Sequence, residues 1–268
     1  MLTNRSNILL TLWVILFFTG SCSQYDKAIK SDDVDFKFEK AFHFYNKGSY
    51  VKSSALFDQL APLIRGTQKA DSVYYFQAMT YYNLNDFIIA GHYFKNFVSI
   101  YQNSPLAEDA TYMEAYCYYM QSPRPELDQT STYQALTSLQ LFMIRYPNNK
   151  HKEECRELIK ELNEKLMEKD FVGAQLYYNI DNYKAAITAF NSCLTNYPDS
   201  KFREEIMFYL LKSKYLLAVN SISLKQTERF QDTVDEYYAF KTEYPSSKNI
   251  KEAENIYIEA SKHINETE

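Results

Sequence analysis

The side chains able to do covalent or acid–base chemistry are few and scattered. Cys stands at 22, 117, 155 and 193, and His at 43, 92, 151 and 263. Cys22 differs from the others in its surroundings. It closes Thr19-Gly20-Ser21-Cys22 directly after the apolar run Ile8 to Phe18, and Arg5 is the only charge before Asp26. A basic start, a short apolar run and small residues before a cleavage point form a secretory signal. A thiol left at that point can be acylated and become the mature N-terminus. The apolar run is far short of the roughly 20 residues needed to span a bilayer. Cys117, Cys155 and Cys193 are odd in number and widely spaced, so they fit neither a disulfide framework nor a zinc site. Each sits in a helical run beside apolar residues and reads as a small buried hydrophobe. The four His fall in different segments. No HExxH, GxSxG or Gly-rich phosphate loop is present. The charged run from Lys160-Glu161 to Lys169-Asp170 reads as a solvated helix face with i,i+4 pairs. The expectation is a protein that is not an enzyme, with no metal and no cofactor beyond a covalent lipid on Cys22.

The neighbourhood of Cys22 resembles a bacterial lipobox, with Thr19 where an aliphatic residue is usual. Residues 1–21 are then a lipoprotein signal peptide and 22–33 a lipid-anchored flexible tether. Net charge is −5 and the isoelectric point about 5.5. That gives no basic footprint for nucleic acid, whose binding depends on phosphate neutralisation.

The elements that follow must be long helices. Five Gly and seven Pro among 268 residues fall well below the roughly 12% of ordinary chains, so turns are few and far apart. Aromatic residues reach 16%, almost all of them 25 Tyr and 18 Phe. Tyr146-Pro147-Asn148-Asn149, Tyr197-Pro198-Asp199-Ser200 and Tyr244-Pro245-Ser246-Ser247 recur at near-regular spacing, with a weaker form at Tyr101 to Pro105. Pro cannot continue a helix and disfavours helical geometry in the residue before it, while Asn, Asp or Ser caps the next one. A small residue followed four later by a large apolar one precedes each such turn: Ser53/Phe57, Ala90/Phe94, Ala135/Leu139, Ala186/Phe190 and Thr233/Tyr237. This is the second-helix half of the tetratricopeptide pattern. Gly48-Ser49-Tyr50, Asn85-Asp86-Phe87 and Asp181-Asn182-Tyr183 mark the turn inside a hairpin, with Ala41, Ala78 and Ala174 seven residues before each. Extra residues fall between the paired helices near 122–130 and near 220–226, and about 150–179 reads as one long helix. The fold expected over 34–268 is all-α, a right-handed superhelical solenoid of about five tetratricopeptide-like helix hairpins. Such hairpins cannot bury their own apolar faces and stack to share a core.

The first helix of each hairpin lines the concave side of such a stack. There the candidate peptide groove is Phe38, Phe42, Tyr45 and Asn46 in the first hairpin, Tyr75, Met79, Tyr82 and Asn83 in the second, and Tyr112, Tyr116 and Tyr119 in the third. Tyr and Met pair apolar area with an adaptable tip, which suits an extended peptide. The two Asn fall at one repeat position and can hydrogen-bond a peptide backbone. The competing reading is that these aromatics pack between neighbouring helices.

Glu168-Lys169-Asp170-Phe171-Val172-Gly173-Ala174-Gln175-Leu176-Tyr177-Tyr178, followed by Tyr183-Lys184-Ala185-Ala186-Ile187, is similar to the fourth-repeat pattern of the BamD-type lipoproteins of the outer-membrane β-barrel assembly machinery. The Cys22 segment, the repeat number and the enlarged third repeat also resemble that family. The resemblance implies a scaffold without cofactor or ATP, lipid-anchored on the periplasmic face of the outer membrane. It implies C-terminal repeats that dock the periplasmic domains of the barrel subunit, and N-terminal repeats that receive unfolded outer-membrane proteins. A tetratricopeptide lipoprotein serving another envelope complex, and a soluble periplasmic chaperone if Cys22 is not acylated, are the competing functions.

Overall fold

Gly48, Asn85 and Asp181 decide where the hairpins fold back. All three have positive φ, +69° for Gly48 and +60° for Asn85 and Asp181, a conformation that Gly, Asn and Asp adopt most readily. At each, the preceding helix closes with the same pair of backbone bonds, such as Gly48 N–H to Tyr45 O and Ser49 N–H to Phe44 O, both 2.9 Å. This arrangement satisfies the last free carbonyls of the helix. The next residue then starts the second helix. Asp86 and Asn182 cap it through their side chains, accepting from the amides of Ile89 and Ala185.

The structure is a computed structural model that describes residues 24–265. The segment 1–21 expected to be a signal peptide, and Cys22, lie outside the described residues. Helical residues 24–30 form α1. Then follow α2 (Val34–Asn46), α3 (Tyr50–Leu60), α4 (Ala70–Asn83), α5 (Phe87–Ile100), α6 (Ala107–Met120), α7 (Thr130–Arg145), α8 (Lys152–Asn179), α9 (Tyr183–Asn196), α10 (Arg203–Val219), α11 (Ser223–Glu243) and α12 (Ile250–Asn265). No strand forms among the described residues. The fold is all-α and built of successive helix hairpins. The chain groups into two compact units. The first runs to Pro123 and includes Thr130–Ile159, and the second holds Arg124–Gln129 and everything from Lys160 onward.

The small–large pattern read from the sequence is the packing code. Ala41, Ser53, Phe57, Ala78, Ala90, Phe94, Ala135, Leu139, Ala186, Phe190 and Thr233 are fully buried, and Ala174 and Tyr237 nearly so. The small residue lets two helices approach until side chains of one meet the backbone of the next. Ser53 Oγ donates to Ala41 O at 2.9 Å across the first hairpin. Among the described residues the tightest approach of a glycine is at Gly91 in α5, where an added Cβ would lie 3.3 Å from Cys117 Cβ in α6. Overpacking a filled interface costs about 1–3 kcal/mol. Gly91→Val is therefore expected to lower the unfolding free energy measured in urea by that amount. The same change at Gly173, which has open space around it within α8, is expected to be neutral or slightly stabilising, because Val is a better helix former than Gly.

The turns between hairpins follow the Pro logic. Tyr197 and Tyr244 end α9 and α11 in non-helical geometry, at φ −134° and −128°. Ser200 and Ser247 act two residues before the helix cap position, their hydroxyls accepting from the amides of Phe202 and Asn249.

Three expectations are corrected. The tether over 22–33 is helical at 24–30, because Ala28 is fully buried and Tyr25 packs edge-on against Phe44 with ring centres 5.8 Å apart. The surplus residues near 220–226 do not form a loop. α11 begins at Ser223 and takes them up as extra helical turns, burying Phe230 against Ala218 and Ala260. Lys169 is not on a solvated face. Its ammonium donates to Leu127 O at 2.7 Å and Pro125 O at 3.1 Å, fastening the 124–129 loop to α8.

The three thiols at 117, 155 and 193 are buried. Burial raises Cys117 to about 12 and Cys155 and Cys193 to about 11, with Glu114, Glu154 and Asp170 adding to it in turn. Such thiols remain protonated and act as packing groups.

Candidate protein-interaction surface

Aromatic side chains run through the first unit as a connected series. Phe38 meets Phe42 at 4.7 Å between ring centres, and Phe42 meets Phe57 at 5.2 Å and Phe76 at 5.0 Å. Phe76 in turn meets Tyr45 at 5.0 Å. The contacts through Phe42, Phe57, Phe76 and Tyr45 are edge-to-face, the arrangement that the ring quadrupole favours. Asn83 Nδ2 donates to Met79 O at 2.7 Å and reaches the Tyr45 hydroxyl at 3.4 Å. Tyr82 meets Tyr116 at 6.2 Å, and Tyr116 meets Tyr119 at 5.5 Å.

Two expected groove residues are corrected. Tyr75 and Tyr112 are buried wedges and do not face an open surface, with exposures of 8% and 4%. Tyr75 lies 5.9 Å from both Phe94 and Phe97, and its hydroxyl donates to the Asp109 carboxylate. Tyr112 lies 5.6 Å from Phe142 and stacks flat on the His151 ring at 3.8 Å. Burial first, then the neighbouring carboxylate of Asp109 or Glu154, pushes both phenols well above the usual tyrosine range. The structure places Phe38, Phe42, Tyr45, Met79, Tyr82, Asn83, Tyr116 and Tyr119 half-buried, and Asn46 exposed. Phe42, Tyr45, Tyr82 and Tyr116 make ring contacts to neighbouring elements and remain partly exposed.

Sequence reasoning missed Phe76, the ring that joins the first hairpin to the second. The cause is register. In α4 the positions facing inward are 73, 75, 77, 78 and 80, while 72, 76, 79 and 83 are only partly covered. Tyr75 and Phe76 are adjacent aromatics, and periodicity alone does not say which of two neighbours faces the core.

A second feature repeats at the far end of these helices. Acids in the first turn of one hairpin accept from the turn that opens the next. Lys69 Nζ lies 2.8 Å from Asp35 and Ser104 Oγ donates to Asp71 at 2.9 Å. Asp109 faces Lys150 at 3.3 Å and His151 Nε2 at 4.0 Å. In the second unit Ser247 Oγ donates to the first-turn acid Glu204 at 2.6 Å, while Lys201 reaches Glu164 in the middle of α8 at 3.4 Å and Arg203 binds Glu243 at the end of α11 at 2.6 Å. The hydrogen bond from Lys69 depresses Asp35, that from His151 depresses Glu154, and that from Arg203 depresses Glu243 below the ordinary carboxylate range. A depressed acid stabilises the fold above its unfolded value and stops doing so as pH falls through its folded value. Desolvation raises Glu114, which acts in the opposite sense. The urea midpoint is thus expected to stay level from neutrality to about pH 5 and to drop below about pH 4. Asp35→Asn with Glu243→Gln is expected to flatten that drop. Because these pairs are solvent-exposed, each is worth little.

Among the described residues no group of His, Cys, Asp and Glu is arranged to hold a metal ion, and no helix is long and apolar enough to cross a membrane. A family model described as YfiO, outer membrane lipoprotein, matches residues 31–230. No curated protein matches the sequence. Among solved structures, the TPR2AB-domain:pHSP90-complex of yeast Sti1 is 13% identical with a TM-score of 0.41, covering 85% of this chain and 98% of that one.

Proposed function

Since this chain belongs to the YfiO family of outer membrane lipoproteins, we propose that it is a lipid-anchored, non-catalytic scaffold of the machinery that assembles β-barrel proteins into the outer membrane. Cys22 carries the lipid and holds the protein on the periplasmic face. The first unit receives aromatic-ended segments of unfolded outer-membrane proteins on its half-buried rings. The hairpins of the second unit dock the periplasmic domains of the barrel subunit. The function is binding and positioning, with no cofactor.

The observation that carries this reading is the family match over three-quarters of the chain. The aromatic series supports the first unit's role. Phe42, Tyr45, Tyr82 and Tyr116 are held by ring contacts on one side, so little side-chain entropy remains to be lost when a peptide covers the other. Met79 beside them adapts to varied side chains.

The test is recovery of the tagged full-length protein from gently solubilised native membranes. A large integral barrel protein with periplasmic repeat domains, present at near-equal amount, is the expected companion. Cell-wall or uptake proteins in its place would overturn the assembly role and leave the hairpin fold standing.

A further inference from the structure

The way α1 is packed limits where an acylated Cys22 can be. Tyr25 rests against Phe44 at the end of α2, and the Lys52 ammonium at the start of α3 lies 5.7 Å from the centre of the same Tyr25 ring. Residue 24 therefore sits beside the turn that closes the first hairpin. Only two peptide steps separate Gln24 from Cys22, and two residues span at most about 7 Å. A lipid on Cys22 brings this turn to the bilayer, which a long flexible tether would not do.

The same turn belongs to a continuous edge of the first unit. Tyr45 meets Tyr50 across the first turn and Tyr82 meets Phe87 across the second, at 5.5 and 5.6 Å. Asn83 reaches the Tyr45 hydroxyl, and Gln121 Nε2 donates to Phe87 O at 3.1 Å. The ends of α2, α4 and α6 and the starts of α3 and α5 thus share one edge. Val51 and Ile88 stand there at one repeat position, the second residue of the helix after the turn, and are 71% and 72% exposed. Lys47 is exposed beside them, and Lys52 is half-buried. Asp86 is on this edge too, with its carboxylate turned onto the Ile89 amide at 3.2 Å. The first-turn acids Asp35, Asp71, Asp109 and Glu153 all lie at the other end of the helices. The start of α1 adds an exposed acid, Asp26, and an exposed base, Lys27, beside this turn. Exposed aliphatic tips with more lysines than acids suit the interface of an anionic phospholipid surface.

We infer that the hairpin-turn edge of the first unit, led by Val51 and Ile88, lies against the phospholipid surface that holds the Cys22 lipid. The inference rests on the proposed acylation of Cys22. It fixes how the first unit stands: helices run away from the membrane, and the acidic ends point into the periplasm.

The only Trp is Trp13, inside the signal peptide, so the mature chain offers a blank background for single-Trp probes. The full lipidated protein carrying Val51→Trp, Ile88→Trp or Leu63→Trp is reconstituted into phosphatidylethanolamine–phosphatidylglycerol vesicles with and without acyl-brominated lipid. Leu63 is exposed between α3 and α4, at the opposite edge. The expected result is a blue shift and loss of most emission at 51 and 88 on brominated vesicles, with Leu63→Trp unchanged. Unquenched Trp at 51 and 88 in protein that still floats with the vesicles would overturn the edge assignment and leave the anchor intact. Equal quenching at all three positions would also overturn it. Protein that does not float at all would remove the anchor, and the inference with it.

Discussion

Cys22→Ala is expected to move the protein from the membrane fraction to the soluble periplasmic fraction almost completely. Among the described residues no helix is long and apolar enough to cross a membrane, and the proposed attachment is the covalent lipid. Each buried acyl methylene contributes about 0.8 kcal/mol, and one chain alone holds only marginally while two signals hold stably. A lipoprotein carries more than one chain, so removing its site removes the main source of attachment. The edge residues Val51 and Ile88 are a minor addition and are not expected to retain the protein alone. The measurement is fractionation followed by a high-salt wash, with mass analysis of the mature N-terminus. Full membrane retention of Cys22→Ala would mean that a partner, not the lipid, supplies the attachment.

The second large effect is on stability. Phe190→Ala is expected to cost about 3–5 kcal/mol, against a typical total of about 5–15 kcal/mol. Phe190 is fully buried in the second unit. It lies 5.8 Å from the Tyr209 ring in stacked geometry and 6.2 Å from Phe171, within a cluster completed by Ala174, Ala186, Cys193, Ile206 and Leu210. Three helices, α8, α9 and α10, meet at this ring, so the cavity left by Ala cannot collapse without moving one of them. Repeat proteins are stabilised by nearest-neighbour interfaces. Amide exchange should therefore quicken most in α9 and α10, and Phe190→Leu should recover most of the loss. A change below about 1 kcal/mol for the Ala variant would show that the site repacks, contrary to this account.

Much of this fold was legible because its determinants are local. A positive-φ residue at 48, 85 and 181, a small residue at 41, 78 and 174, and a Pro after Tyr146, Tyr197 and Tyr244 each act within one turn of chain. The long helix was legible for the same reason, since Gly173 is the one weak breaker within 152–179. Side-chain facing was only partly legible. The pair Tyr75-Phe76 satisfies the same helical period in either register, and only the neighbours Phe94 and Phe97 on one side and Phe42 and Tyr45 on the other decide between them.

The sequence by itself determined the helices, their pairing into hairpins and the residues at which they touch, because backbone conformation and side-chain size are set position by position. Tertiary structure alone decided three things. It ordered α1 by closing Tyr25 and Ala28 onto the first hairpin, it drew Lys169 onto the carbonyls of Pro125 and Leu127, and it buried Tyr75 and Tyr112 while leaving Tyr45, Tyr82 and Tyr116 half open. These outcomes depend on groups distant in sequence arriving together, where burial and hydrogen-bond satisfaction outweigh what any one segment prefers.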